Sequence, residues 1–165
     1  MLTDYTVSFL GHRHIDRFFD VERRMLPLIR HLIQTKPFVT FLVGWQGDFD
    51  NLASGLIRRV KSEINDCNSD HTLVLPYTVA ALRHDEKLLL KAYDDVVVCP
   101  AAEHAHPKAA YSVRNAYMID RADLCVFCVA RASGGAYRAL RYAEAHKKTI
   151  LNFADPDLLS DFSVL

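Results

Sequence analysis

Short apolar runs that stop at a glycine or proline and hand over to a longer amphipathic stretch recur along this chain, and that alternation restricts its fold more than any other feature. Strands apolar throughout are covered on both faces, which suits parallel strands joined by helical crossovers. The first run, residues 5–10, ends at Gly11. Residues 16–34 then place Phe18, Phe19, Met25, Leu26, Ile29, Leu32 and Ile33 along one helical stripe, with Pro27 inside it as a kink or break. A second run, residues 38–43, ends at Gly44, and a helix over 48–64 follows with Leu52, Leu56, Ile57 and Val60 inward. Further strands are expected over 72–75, 95–99, 124–129 and 149–153, with helices over 84–93 and 109–121 and from the glycine pair to about His146. Residues 101–108 form the polar, least regular part. The expected class is α/β: a Rossmann-like, doubly wound, mostly parallel sheet of about six strands with helices on both faces.

A chain of 165 residues, half of them hydrophobic, fills one core, so one domain over 1–165 is expected. Lysines plus arginines equal aspartates plus glutamates at 20 each. No overall field draws the chain to nucleic acid or to an anionic membrane, so nucleic acid is argued against as a partner and anion binding has to be local. The N-terminus lacks a basic region ahead of its apolar stretch, and no apolar run reaches the roughly 18 residues of a membrane span. A cytoplasmic protein without membrane contact is the expectation. Cys125 and Cys128 spell C-x-x-C inside a strand, where residues three apart face opposite sides and cannot share a metal; buried thiols are expected instead. His12/His14 and His104/His106 form H-x-H pairs without a third ligand at a suitable spacing, so no metal site is expected.

Ligands of such sheets settle beyond the carboxyl ends of the strands. Those ends read Gly11-His12-Arg13, Gly44-Trp45-Gln46-Gly47-Asp48 and Ser133-Gly134-Gly135. Glycine lets a phosphate approach backbone N–H groups, and a helix starting directly behind adds about half a positive charge. Arg13 and Arg114 are the candidate clamps for phosphate or carboxylate; each is otherwise a solvated loop residue or one arginine on a helix face. Gln46 and Asn115 complete the candidate ligand-binding set. Asp48 and Ser133 also suit helix caps, and Trp45 either stacks on a base or wedges against the core. No G-x-S-x-G element supports a hydrolase triad.

Taken together, Gly11 and Arg13, then Gly44, Gly47 and Asp48, then Arg114, Asn115, Met118 and Asp123, then Gly134 and Gly135 resemble the SLOG superfamily, and within it the YpsA-like group of Rossmann-fold proteins. The resemblance implies a nucleotide ligand, either a nucleoside monophosphate or an ADP-ribose or NAD-like derivative, held by the glycine turn and the arginines. No cofactor is certain. The LOG phosphoribohydrolases are similar around Arg114 and Gly134, but their second turn glycine and threonine are missing, and Leu140 or Arg141 stands where their catalytic glutamate falls. Glu144 and Asp48 are the fallback carboxylates for such chemistry. A binding module or sensor is thus the main expectation, an N-glycosidic hydrolase or transferase the first alternative, and single-stranded DNA binding, known in a DNA-processing branch of the superfamily, the second. Phe18 and Phe19 are either core or the seam of a homodimer, the assembly expected.

Overall fold

Alternate residues of the apolar runs enter two separate cores. Val7, Phe9, Val39, Phe41, Leu124 and Val126 join one; Leu10, Leu42, Val74, Cys125 and Phe127 join the other. The computed structural model describes residues 3–65, 67–78, 84, 86–158 and 160–165. Its strands are β1 (Asp4–Gly11), β2 (Phe38–Val43), β3 (Ser69–Leu75), β4 (Asp95–Val98), β5 (Leu124–Cys128) and β6 (Thr149–Asn152). Its helices among the described residues are α1 (Phe18–Thr35), α2 (Asp48–Ile64), α3 (Glu86–Ala92), α4 (Pro100–Glu103), α5 (Ala110–Arg121) and α6 (Gly134–Ala145).

The six strands form one sheet in the order β4-β3-β2-β1-β5-β6, every neighbouring pair parallel. This is the doubly wound α/β architecture expected. Helices α1 and α2 cover one face and α5 and α6 the other. The order runs outward from β1 in both directions, so the chain reverses at the β1–β5 junction and a crevice opens beyond their carboxyl ends. No helix among the described residues is long and apolar enough to cross a membrane.

Tertiary burial decides several details that local signals left open. Helix α1 runs through Pro27 unbroken and buries six side chains, from Val21 to Ile33. At about 1.5–3 kcal/mol each they outweigh the roughly 3 kcal/mol cost of an interior proline. Phe18 packs against the core, whereas Phe19 stays 80% exposed. Strand β3 starts at Ser69 rather than 72, because Ser69-Asp70-His71 pairs with Val39-Thr40-Phe41 despite its polarity. His71 is buried there, its Nε2 3.0 Å from Ser54 Oγ. Within 101–108 the short helix α4 forms behind Pro100. Of the helix expected over 84–93, residue 85 lies outside the described residues. Cys125 and Cys128 are buried on opposite faces, one in each core, and burial pushes both thiols up, Cys128 to about 11.

Gly11, at the end of β1, shows how closely α2 is seated. A Cβ there would fall 2.5 Å from the ring of Phe49, which is fully buried. Gly11→Ala is therefore expected to lose about 1–3 kcal/mol through overpacking. Urea unfolding should show it as a lower midpoint at unchanged slope, and an unaltered midpoint would contradict the packing described.

Candidate anion-binding site

The loops after β1 and β2 are locked together by backbone. The Asp48 N–H donates to Arg13 O at 2.7 Å, and a Cβ on Gly47 would lie 2.5 Å from Arg13 Cα. Gly47 also has φ +112, so both its conformation and this close approach demand glycine. Gln46 ties three elements: its Oε1 accepts from Arg13 Nη2 at 3.1 Å, its Nε2 donates to the Tyr111 hydroxyl at 2.6 Å, and its backbone N–H donates to Asp50 Oδ2 at 2.9 Å.

Arg114, on α5, is only 9% exposed. Its Nη1 donates to Val74 O at 3.3 Å, its Nε and Nη2 to Asn115 Oδ1 at 3.1 and 2.9 Å, and its guanidinium lies 5.5 Å from the Tyr111 ring centre. Those hydrogen-bond acceptors are neutral. Gly44 makes room for the nearest opposite charge: a Cβ there would stand 2.7 Å from both Arg114 Nη1 and Asp50 Oδ2. Burial pushes Asp50 up to about 6, while Arg114 and the Gln46 N–H pull the other way. Burial likewise lowers Arg114, yet a guanidinium stays charged in a protein.

Across the crevice, α6 begins without a side-chain cap. Ser133 is extended and makes no capping bond, and Gly134 has φ +87. A Cβ on Gly134 or Gly135 would meet nothing within 4 Å, so protein packing is not what requires glycine at either position. The first N–H groups of the helix are left facing open space, with the positive end of the helix dipole behind them. His12 bridges the two sides: its backbone N–H donates to Cys128 O and its ring Nε2 accepts from the Arg131 N–H, each at 3.2 Å. Burial first, and Arg131 second, hold its pKa below the ordinary value, and with Nε2 accepting, the neutral ring carries its proton on Nδ1.

These groups surround one cavity of about 490 Å³. Of the residues singled out in the sequence, Gly11, Arg13, Gln46, Arg114, Asn115, Ser133, Gly134 and Gly135 line it. Gly44 and Gly47 lie behind the wall and shape it through the close approaches above. Asp48 does not line it; its carboxylate accepts from the Ile15 N–H at 3.2 Å and stands 3.7 Å from His14 Nδ1. Glu144 is paired with Arg141 at 2.5 Å on the outer side of α6, away from the cavity. Trp45 is half-buried and also absent from the lining. Asp123 sits at the opposite end of the sheet, where its carboxylate accepts from the Thr6 N–H at 2.8 Å.

Sequence reasoning missed His12, Asp50, Tyr111, Arg131 and Arg138, all of which line the cavity. Arg138 had a usable signal, since it falls one helical turn after Gly134 and so shares its face. Asp50 was masked by Asp48 two positions earlier, and His12 was read only as half of an H-x-H pair. Four guanidiniums thus face a single carboxylate among the described lining residues, and that carboxylate titrates near 6. The arrangement suits an anion.

No protein-family model matches the chain, and no curated protein matches it. Among solved structures, DNA processing protein A from Helicobacter pylori, described as having a unique single-stranded DNA binding mode, is similar with a TM-score of 0.60 at 15% identity, over 88% of this chain and 63% of that one. DNA processing protein A (DprA) from Streptococcus pneumoniae is similar with a TM-score of 0.60 at 11% identity, over 90% of this chain and 50% of that one. The chain therefore spans less than two thirds of either neighbour. At such identities the likeness is one of fold, and it agrees with the Rossmann-like architecture.

Sulfate keeps its double negative charge through the range in which Asp50 titrates. Its affinity is expected to rise as pH falls through about 6, because protonated Asp50 no longer offsets the guanidiniums. Titration calorimetry on either side of that pH should show the rise in the wild type and its loss in Asp50→Asn. A wild-type affinity independent of pH would contradict the electrostatics described.

Proposed function

We propose that this chain is a YpsA-like nucleotide-binding module of the SLOG superfamily, acting as a sensor, with the phosphate of its ligand held in the arginine-lined cavity. The observation that carries the reading is the convergence of Arg13, Arg114, Arg131 and Arg138 with an uncapped helix start on one cavity. Its size falls within the roughly 300–1,000 Å³ of small-molecule sites. Gly134 and Gly135 let phosphate oxygens reach the α6 amides, and the guanidiniums supply bidentate donors. A nucleoside monophosphate or an ADP-ribose or NAD-like derivative fits this chemistry.

The fold neighbours favour a second reading, binding of a single-stranded nucleic acid, because one of them is described by its single-stranded DNA binding mode. Net neutrality does not stand against nucleic acid, because total charge does not report where charges sit, and four arginines share this rim. N-glycosidic cleavage receives less support, since Glu144 and Asp48 are engaged elsewhere.

One set of titrations ranks the two readings. Under the main reading AMP, ADP-ribose or NAD binds and raises the melting temperature by mass action. Arg13→Ala and Arg138→Ala, both at exposed positions, should each weaken binding about tenfold or more, the equivalent of a lost charge-assisted hydrogen bond. Under the second reading a labelled oligonucleotide binds more tightly than any nucleotide, with an affinity that falls steeply with salt. Failure of every nucleotide and of single strands to bind would refute both.

A further inference from the structure

Beside the arginine-lined cavity lies a smaller one of about 210 Å³, and His12 and Arg131 belong to both. It is set against the start of α1, next to residues that follow β5 and β6. Its walls differ in kind from those of its neighbour. Val21, Cys128 and Phe153, all buried, line it, and Ala130 and Ala154 stand at exposed or half-exposed positions on it. The hollow opens to solvent, where Ala130 and Arg131 are exposed, so a ligand can enter it from outside. It is also smaller than the roughly 300 Å³ at which independent ligand sites begin, which suits part of a ligand rather than a whole one.

Its charges are nearly balanced. Asp20 lies within reach of Arg17, Arg23 and Arg24, and the hydrogen bond from Arg23 is the largest cause holding its carboxyl below the ordinary range. Arg24 spends its guanidinium on the Phe153 and Asp155 carbonyls at 3.0 and 2.7 Å. Asp16 and Asp20 stand among Arg17, Arg24 and the shared Arg131, so positive charge is far less concentrated here than in the larger cavity, where four arginines face one carboxylate. What the hollow offers is apolar wall, the His12 ring at its boundary, and carboxylate oxygens that accept from N–H or O–H groups.

Resting on the nucleotide reading above, we propose that this smaller cavity is the nucleobase subsite. The ligand lays its phosphate among the arginines and passes His12, so that its base packs against Val21, Cys128 and Phe153 while Asp20 accepts a hydrogen bond from a base amine or a ribose hydroxyl. The arginine-lined cavity supplies charge recognition, and the smaller one distinguishes a nucleotide from a bare phosphate.

Ala130→Phe and Ala154→Phe fill the hollow from its solvent side and leave every arginine in the sequence. Circular dichroism first confirms that each variant is folded. Affinities are then measured for the common nucleoside 5′-monophosphates and for inorganic pyrophosphate, which has no base. Both variants should weaken the nucleotides by about tenfold, a difference of about 1.4 kcal/mol, and leave pyrophosphate unchanged; Asp20→Asn should show the same selectivity. Nucleotide binding that survives filling, or equal weakening of nucleotide and pyrophosphate, would overturn the subsite. Wild-type protein that binds pyrophosphate but gains nothing from a base would overturn the subsite alone, whereas wild-type protein that binds neither would overturn the nucleotide reading with it.

Discussion

A guanidinium that is nine-tenths buried must be matched by opposite charge or open onto something that supplies it, since leaving a buried ion unpaired costs several kcal/mol. Arg114 is in that position. Its hydrogen bonds go to the Val74 carbonyl and the Asn115 amide oxygen, and the carboxylate across Gly44 is driven by burial towards its neutral form. Above about pH 6 Asp50 offsets part of that charge, and the cavity still gathers Arg13, Arg131, Arg138 and the bare start of α6 around a single carboxylate. The neutral hydrogen-bond acceptors fix the direction of the side chain without cancelling its charge, which is what an anion site needs from its supporting groups.

Topology creates the place where these groups meet. Because the strand order departs from β1 in both directions, the loops after β1, β2 and β5 rise round one crevice, and α5 carries Arg114 and Tyr111 onto its wall. Rigidity comes from contacts that have no slack. Gly11 lies against Phe49, Gly47 against the Arg13 backbone, and Gln46 hydrogen-bonds to the loop after β1, to α2 and to α5. The same fold in DNA processing protein A shows that this scaffold serves a single-stranded DNA-binding protein, but the fold alone does not choose among ligands. The choice lies with the side chains at the rim.

Most of the architecture was legible because buried parallel strands leave an unambiguous trace: five of the six begin and end within two residues of the apolar runs that announced them at both ends, as in Phe38–Val43. Where polar residues enter a core the trace fails. Ser69, Asp70 and His71 look like loop, and only pairing with β2 and the contact between His71 and Ser54 make them strand. The site was legible in its backbone and less so in its side chains. Glycines after strands and an arginine on a helix follow from the fold, whereas the choice of Asp50 over Asp48 depends on which helical face looks inward at the first turn of α2. Net charge was the least informative quantity, because balanced totals conceal four arginines collected on one rim.

The account turns on backbone amides at the start of α6 receiving an anion together with Arg114. The most direct measurement is a titration of isotope-labelled protein with inorganic phosphate, followed through its backbone amide resonances. The signals of Gly134, Gly135 and Ala136 should move along a saturable curve, with that of Gly55, in the middle of α2, unmoved. Amide signals at the start of α6 that stay fixed while phosphate is added, or that drift together with Gly55, would contradict it.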